Sequence, residues 1–441
     1  MDRDINRQLL DFIDASPNAF FAVKNMADEM SAAGMTRLYE GEKWELKAGQ
    51  GYFVTRNDSA VVAFKIPKGD WGGFQIMASH CDSPTFKIKP NAEVVVESRY
   101  VKLNTEKYGG MLMAPWLDRP LSVAGRIIVK NGNELETRLV NIDRDLLIIP
   151  NLAIHMNRNA NDGHVYNAQT DMLPLFACVA PEEEHKPDII ELAAREAGVD
   201  PEAVIDSDLY LYDRMKGSML GFDQEFIAGG RLDDLQCVFA GFKGFMDTEP
   251  KDSVAVHCVF DNEEVGSETK QGAGADLLRS VLTRISRCLG RNEEEYLMSL
   301  ASSFMVSADN AHAVHPAQTD KTDMTNRPFL NEGIVIKYNA NQKYTTDAVS
   351  AAVIKELCVL AGVPFQTFVN RSDMPGGSTL GNIAQRQVSV NTVDIGLPQL
   401  SMHSAYETAG AKDTKYLVKL AKTLFSTAVK GKGDGNYRIV K

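Results

Sequence analysis

The sequence predicts an α/β fold, a mostly parallel sheet flanked by helices and interrupted by a β-rich domain. Three observations carry this. After Gly229-Gly230, helical periodicity and short apolar runs alternate to the end of the chain, the pattern of a parallel sheet covered by helices. From about 92 to 215 the texture changes to β-rich pieces punctuated by turn residues such as Asn131-Gly132. Carboxylates and histidines also recur just past apolar strand-like runs, where open α/β sheets bind ligands.

Taken in order, Leu9, Leu10, Phe12 and Ile13, then Phe20, Phe21, Val23, Met26, Ala27 and Met30, follow helical spacing and close at Gly34. Strands are expected at 52–56, 60–66 and 74–79. In the insertion, Val94-Val95-Val96, Leu121 to Val129 and Leu146 to Ile149 read as strands, and Pro181 to Pro187 as an exposed loop. Beyond it, Leu232 to Met246, Ala275 to Leu289, Ala348 to Leu360 and Thr414 to Val429 read as helices. The stretches 253–260, Ser303 to Ala308, Ile334 to Lys337, Phe365 to Val369 and 388–395 read as strands. The expected domains are 1–91 and 221–441, together the α/β body, and 92–220, the insertion.

The 441 residues suffice for two or three domains, and the formal charge of −12 excludes a nucleic-acid partner, which needs a basic face. No apolar run approaches the roughly 20 residues that span a bilayer. Met1 to Arg7 lacks the layout of a secretory signal, and the six cysteines form no Cys-x-x-Cys pair. The expectation is a cytoplasmic enzyme with no membrane attachment.

Five segments carry candidate metal ligands, four of them just past an apolar strand. In Ser79-His80-Cys81-Asp82-Ser83-Pro84, His80 and Asp82 point the same way in extended chain, so Asp82 can receive the distal N–H of a metal-bound His80. Gly230-Arg231-Leu232-Asp233-Asp234 opens a helix, where a carboxylate can bridge two cations or simply cap the helix. Asp261-Asn262-Glu263-Glu264 ends a strand: one glutamate can bind an ion while its neighbour takes a proton from water, or both can be an acidic first turn. Asp309 follows the fourth strand, with His312 and His315 competing as ligands in the same segment. His403 lies in the fifth. Jointly, the set suits a two-metal hydrolase: two divalent ions balance Asp233, Glu264, Asp309 and one hydroxide, so the cluster can be buried as a neutral whole.

These segments resemble the aspartyl aminopeptidase family of dinuclear zinc metallopeptidases. The likeness runs over nearly the full length, through Ala78 to Pro84, Trp116-Leu117-Asp118-Arg119-Pro120, Gly230 to Asp233, Asp261 to Ser267, Ser307 to Pro316 and Met402-His403-Ser404. It implies metal ligands at His80, Asp233, Glu264, Asp309 and His403, with Asp233 bridging two zinc ions per subunit. It implies Glu263 as general acid/base and Asp82 as the partner of His80. A β-rich domain that dimerises the subunits is implied too, from which His155 reaches a neighbour's active site, and assembly as tetrahedral dodecamers. Lys337 matches a position that meets an acidic substrate side chain; Met374 to Thr379, with Gly377 and Ser378, resembles a substrate loop.

The expected activity is release of single N-terminal residues, Asp or Glu, from peptides with a free amine. A preference for neutral residues such as Leu, a carboxypeptidase or deacylase on the same core, or a non-catalytic assembly protein are the alternatives. Nitrogen and oxygen ligands suit Co2+ or Mn2+ as well as Zn2+.

Overall fold

The computed structural model describes residues 2–182 and 186–440; Glu183 to His185, within the expected Pro181–Pro187 loop, lie outside the described residues. The chain forms two units. The first comprises the chain to Asp82, Gly217–Met402 and the chain from Glu407; the second is Ser83–Lys216 with the short return His403–Tyr406.

A nine-stranded sheet organises the first unit, in the order Thr36–Leu38, Gly51–Arg56, Ala60–Lys65, Ser253–Phe260, Gly73–His80, Phe304–Ala308, Asn391–Gly396, Ile334–Tyr338, Phe365–Val369. The four strands from Ser253–Phe260 to Asn391–Gly396 run parallel to one another. Every residue of Gly73–His80 and Ser253–Phe260 is buried, which explains their mainly apolar character. Successive side chains point to opposite faces. Val61, Ala63, Met77, Ala255 and Val306 thus pack on the helices Ala19–Ala32, Leu232–Met246 and Asp413–Ser426. Val62, Phe64, Ile76, Val256 and Met305 pack against Leu277–Cys288 on the other side. Among the described residues no helix is long and apolar enough to cross a membrane.

Several expected elements shift. The opening helical stretch is two helices, Asp2–Asp14 and Ala19–Ala32. Pro17 cannot continue the first, and the Asn18 side chain accepts from Phe21 N at 3.3 Å to start the second. Leu146 to Ile149 makes only isolated bridges, Leu147 to Leu121 and Ile148 to Leu175, so Leu147 and Ile149 fill the core without forming a strand while Ile148 stays exposed. The strand expected at 388–395 is Asn391–Gly396. Helices Ile189–Ala197 and Glu293–Ala301 were not expected.

The second unit is a six-stranded antiparallel sheet ordered Glu134–Asn141, Leu121–Asn131, Val204–Asp213, Thr85–Val96, Tyr100–Tyr108, Leu175–Cys178. Phe86, Leu103, Trp116, Ile127 and Leu209 form its core. It begins at Ser83 and its main segment ends at Lys216, where the sequence suggested 92 and 220. The alternation Phe86-Lys87-Ile88-Lys89 already belongs to its first long strand, ahead of the more conspicuous valine run.

His257, at the centre of a buried strand, is 1% exposed, and neither ring nitrogen has a hydrogen-bond partner. Its ring lies 6.1 and 6.0 Å from those of Phe242 and Phe245. Burial pulls its pKa down to about 3. The unfolded chain therefore binds the proton first, so stability is full above about pH 6.5 and declines as pH falls toward the folded value. At pH 4.5, two units below the unfolded pKa, the loss is about 2.7 kcal/mol. His257→Leu is expected to gain Tm relative to wild type between pH 7 and pH 4.5; parallel Tm profiles would show that His257 does not titrate on unfolding.

Candidate metal centre

The carboxyl ends of Gly73–His80, Ser253–Phe260 and Phe304–Ala308 lie side by side, because the strands are parallel and in register, Phe260 opposite His80. His80, Glu263 with Glu264, and Asp309 thereby arrive at one edge. Asp233 and Asp234 join them from the start of Leu232–Met246, which follows Arg231, a left-handed residue at φ 58°. The Asp233–Asp234 peptide is cis.

His80 Nδ1 lies 3.0 Å from the carbonyl oxygen of Asp82 and 3.4 Å from its carboxylate. Either partner can only accept, so Nδ1 carries the proton and Nε2 is the lone-pair nitrogen. Yet Nε2 faces Asp233 Oδ1 at 3.5 Å and Asp309 Oδ1 at 3.7 Å, atoms that also bring lone pairs. A proton or a cation among them is required. Burial alone would lower the His80 pKa, but Asp233, Asp309 and Asp82 reverse that and hold it well above the ordinary value.

The main partner of His80 Nδ1 is thus the Asp82 backbone, where the sequence suggested its carboxylate. The strand ends at His80, so the extended geometry assumed for Asp82 does not persist. The carboxylate turns to the neighbouring strand end and accepts from the backbone N–H of Glu263 and of Glu264, at 3.1 Å each. These glutamates form a single 3-10 turn, Glu263–Val265, well before the next α-helix at Leu277, so the plain acidic first turn of a long helix is ruled out. Asn262, at φ 62°, enters the turn; its Oδ1 accepts from Thr269 Oγ1 at 2.7 Å and Gln271 Nε2 at 2.8 Å. A left-handed non-glycine residue persists only where its surroundings over-determine it.

Desolvation and the neighbouring carboxylates Asp309, Asp82 and Asp233 push the Glu263 pKa up to about 8. Burial and Asp233 raise Glu264, and burial raises Asp234. Ligand atoms of His80, Asp234 and Asp309 lie within 4.8 Å of one another, as do those of His80, Glu263 and Glu264. This donor set, one imidazole nitrogen among carboxylate oxygens, fits a hard or borderline divalent cation such as zinc.

Lys337 is 3% exposed, and its Nζ donates to Asn310 O at 2.7 Å and lies 3.4 Å from Asp309 Oδ2. Asp309 therefore spans His80 and Lys337, one oxygen to each. Burial works against the ammonium charge, but Asp309 and its acidic neighbours outweigh it and raise the Lys337 pKa. Gly396 is needed behind them: a Cβ there would fall 2.1 Å from the Asp309 carbonyl oxygen.

The other expected residues make contacts of their own. His312 and His315 stay out of the carboxylate cluster; His312 meets Phe368 edge-on with ring centroids 6.1 Å apart, and His315 Nδ1 accepts from Ala317 N at 3.2 Å. His403 belongs to the second unit, where its Nδ1 donates to Gly110 O at 2.5 Å, making Nε2 the acceptor nitrogen. His155 sits exposed in a turn of that unit rather than in a strand. Gly377 and Ser378 are exposed, with Ser378 Oγ donating to Asn382 Oδ1 at 3.1 Å.

Two further residues escaped the sequence reading. Asp234 Oδ2 accepts from His80 N at 3.2 Å, tying helix start to strand end. Glu407, 2% exposed, accepts from Asp233 N at 3.0 Å. The Asp233-Asp234 pair was visible, but nothing local ranks its two members; Glu407 showed only as an acidic residue near His403.

Comparison with known proteins agrees with this geometry. Residues 12–425 match the Peptidase_M18 family, described as aminopeptidase I zinc metalloprotease. A probable M18 family aminopeptidase 2 of Clostridium novyi (strain NT) is 47% identical, covering 95% of this chain and 98% of its own. Among solved structures, that of the Ape4 and Nbr1 complex superposes with a TM-score of 0.92 at 38% identity, covering 96% and 86% of the two chains. The S. cerevisiae mApe1 dodecamer gives 0.83 at 28% identity and 96% of each chain. With that match and a carboxylate-rich centre at the strand ends, the chain belongs to the M18 peptidases, the aminopeptidase I zinc metalloproteases, and is a hydrolase acting on peptides.

Proposed function

We propose that this aminopeptidase releases single acidic residues, Asp or Glu, from free peptide N-termini at a centre holding two zinc ions. The observation that carries the chemistry is His80 Nε2 directed at Asp233 and Asp309 beside the Glu263–Glu264 turn. His80, Asp233, Glu264, Asp309 and His403 would hold the metal, with Asp233 shared between the ions. Zinc, when bound, polarises the scissile carbonyl and makes a water more acidic. Glu263 takes the proton of the attacking water and returns it to the leaving amine. Asp82 keeps Glu263 in place through the backbone bonds to the turn. His155, exposed on the second unit, would steady the developing oxyanion of a neighbouring copy in a tetrahedral dodecamer built from dimers. The similar mApe1 assembly supports a dodecamer.

For acidic preference the candidate is Lys337, whose ammonium keeps donor capacity beyond Asn310 O. A second reading, preference for neutral residues such as Leu, is favoured by the same ammonium's position against Asp309. A panel of unblocked aspartyl, glutamyl and leucyl p-nitroanilides separates them. Wild type is expected to favour the acidic substrates, and Lys337→Met to lower the Asp-over-Leu ratio of kcat/KM about 10- to 100-fold, the worth of one charged hydrogen bond. Faster turnover of leucyl substrate by wild type would favour the second reading. In the same panel, His155→Phe is expected to lower kcat at unchanged zinc content; full activity would remove its role.

A further inference from the structure

Beside the catalytic strand ends lies a cavity of about 320 Å³, walled on one side by Met374, Pro375 and Gly377 and elsewhere by His312, Phe368 and Met402. It adjoins the carboxylate edge: Phe368 is the register partner of Lys337, and His312 follows Asp309 on the same segment. The Met374–Gly377 wall lies outside any helix or strand, so its position depends on its two ends: Met374 N donates to Arg371 O at 2.9 Å at one, and the foot of the loop anchors the other.

That foot is Thr379, 2% exposed, whose Oγ1 donates to Asp394 Oδ1 at 2.6 Å. Asp394 is fully buried, and its other oxygen accepts from Thr345 N at 2.6 Å and Thr345 Oγ1 at 2.7 Å. Charge-assisted bonds of this kind are about twice as strong as neutral ones. Thr345 follows Tyr344, whose ring centroid lies 5.6 Å from Lys337 Nζ. One carboxylate thus ties the wall of the cavity and the segment beside Lys337 to the same strand. Gly381 permits this closeness, because a Cβ there would fall 2.5 Å from Asp394 Oδ1.

We propose that Asp394 and Thr379 are positioning residues. Their hydrogen bond holds the Met374–Gly377 wall at the distance from the strand ends that the bound peptide requires, without touching the peptide. The inference rests on the reading that peptides bind at this edge. The hydroxyl of Thr379 is the part that acts; the methyl is incidental.

The test is steady-state kinetics of the full zinc-loaded protein on a chromogenic aminoacyl substrate and on a tripeptide. Thr379→Val, which keeps the volume and removes the donor, is expected to raise KM at least tenfold with kcat within threefold of wild type. Thr379→Ser, which keeps the donor, is expected to restore KM to within twofold. If Thr379→Val does not accumulate folded, Thr379→Cys supplies a weaker donor and is expected to give an intermediate KM. Unchanged KM overturns the proposal. So does a parallel fall of kcat with a lowered Tm, or a loss that serine does not repair. Wild type inactive on both substrates would instead overturn the proposed function, so the two failures are separable.

Discussion

Glu263→Gln is expected to lower kcat about 10³-fold, the middle of the range for a positioned general base, with zinc content and Tm unchanged. The substitution keeps the shape of the side chain and removes only its capacity to take a proton. It should not disturb the turn, because the bonds that fix it come from the backbone N–H groups of Glu263 and Glu264 to Asp82. KM should move little, since the lost interaction belongs to the transition state. Glu263 is a half-buried member of a crowded carboxylate group, and desolvation together with those neighbours pushes its pKa up to about 8. Metal analysis beside the kinetics is the control. Near-native kcat with full zinc content would move the proton transfer to another residue.

Asp233→Ala is expected to cost both zinc and activity, with kcat/KM reduced by more than about 10³-fold, since second-shell losses alone cost 10–100-fold in metal affinity or activity. Asp233 lies 3.5 Å from His80 Nε2, and Glu407 accepts from its backbone N–H, which anchors it beside His80. Zinc per chain after gel filtration should fall by at least one equivalent against wild type. A second measurement separates loss of metal from loss of fold. In metal-free protein the buried carboxylates repel one another, and deleting one should leave Tm equal to or above that of metal-free wild type. Undiminished zinc content would remove Asp233 from the metal-binding set.

How much was legible differs from residue to residue. The buried strands of the large sheet were readable because continuous apolar runs leave little else for the chain to do. The start of the second unit was less so, because Phe86-Lys87-Ile88-Lys89 alternates quietly before the louder valines. Leu146 to Ile149 has a strand's composition, yet it makes only isolated bridges. For the site, His80, Glu263, Glu264 and Asp309 were each visible as polar residues at the ends of apolar runs, and Asp233 as a carboxylate opening a helix. Asp82 was visible too, but its bonding was not: two acceptors on one residue, carbonyl and carboxylate, exchange jobs depending on where the strand stops.

Sequence by itself determined the classes of element, the alternation of strand and helix, and the chemical inventory at the strand ends. Those follow from periodicity and residue type, which are local. Tertiary structure alone decided that Asp233 and Asp309 come within 3.7 Å of His80 and that His312 and His315 do not join them. It also decided that Asp234 and Glu407 brace the centre, and that Asp394 reaches Thr379 and Thr345 from a strand between them in space but not in sequence. The physical reason is that parallel strands bring their carboxyl ends to one edge whatever their separation along the chain. Which polar atoms then meet there depends on register and on where each strand ends, and no local pattern encodes either.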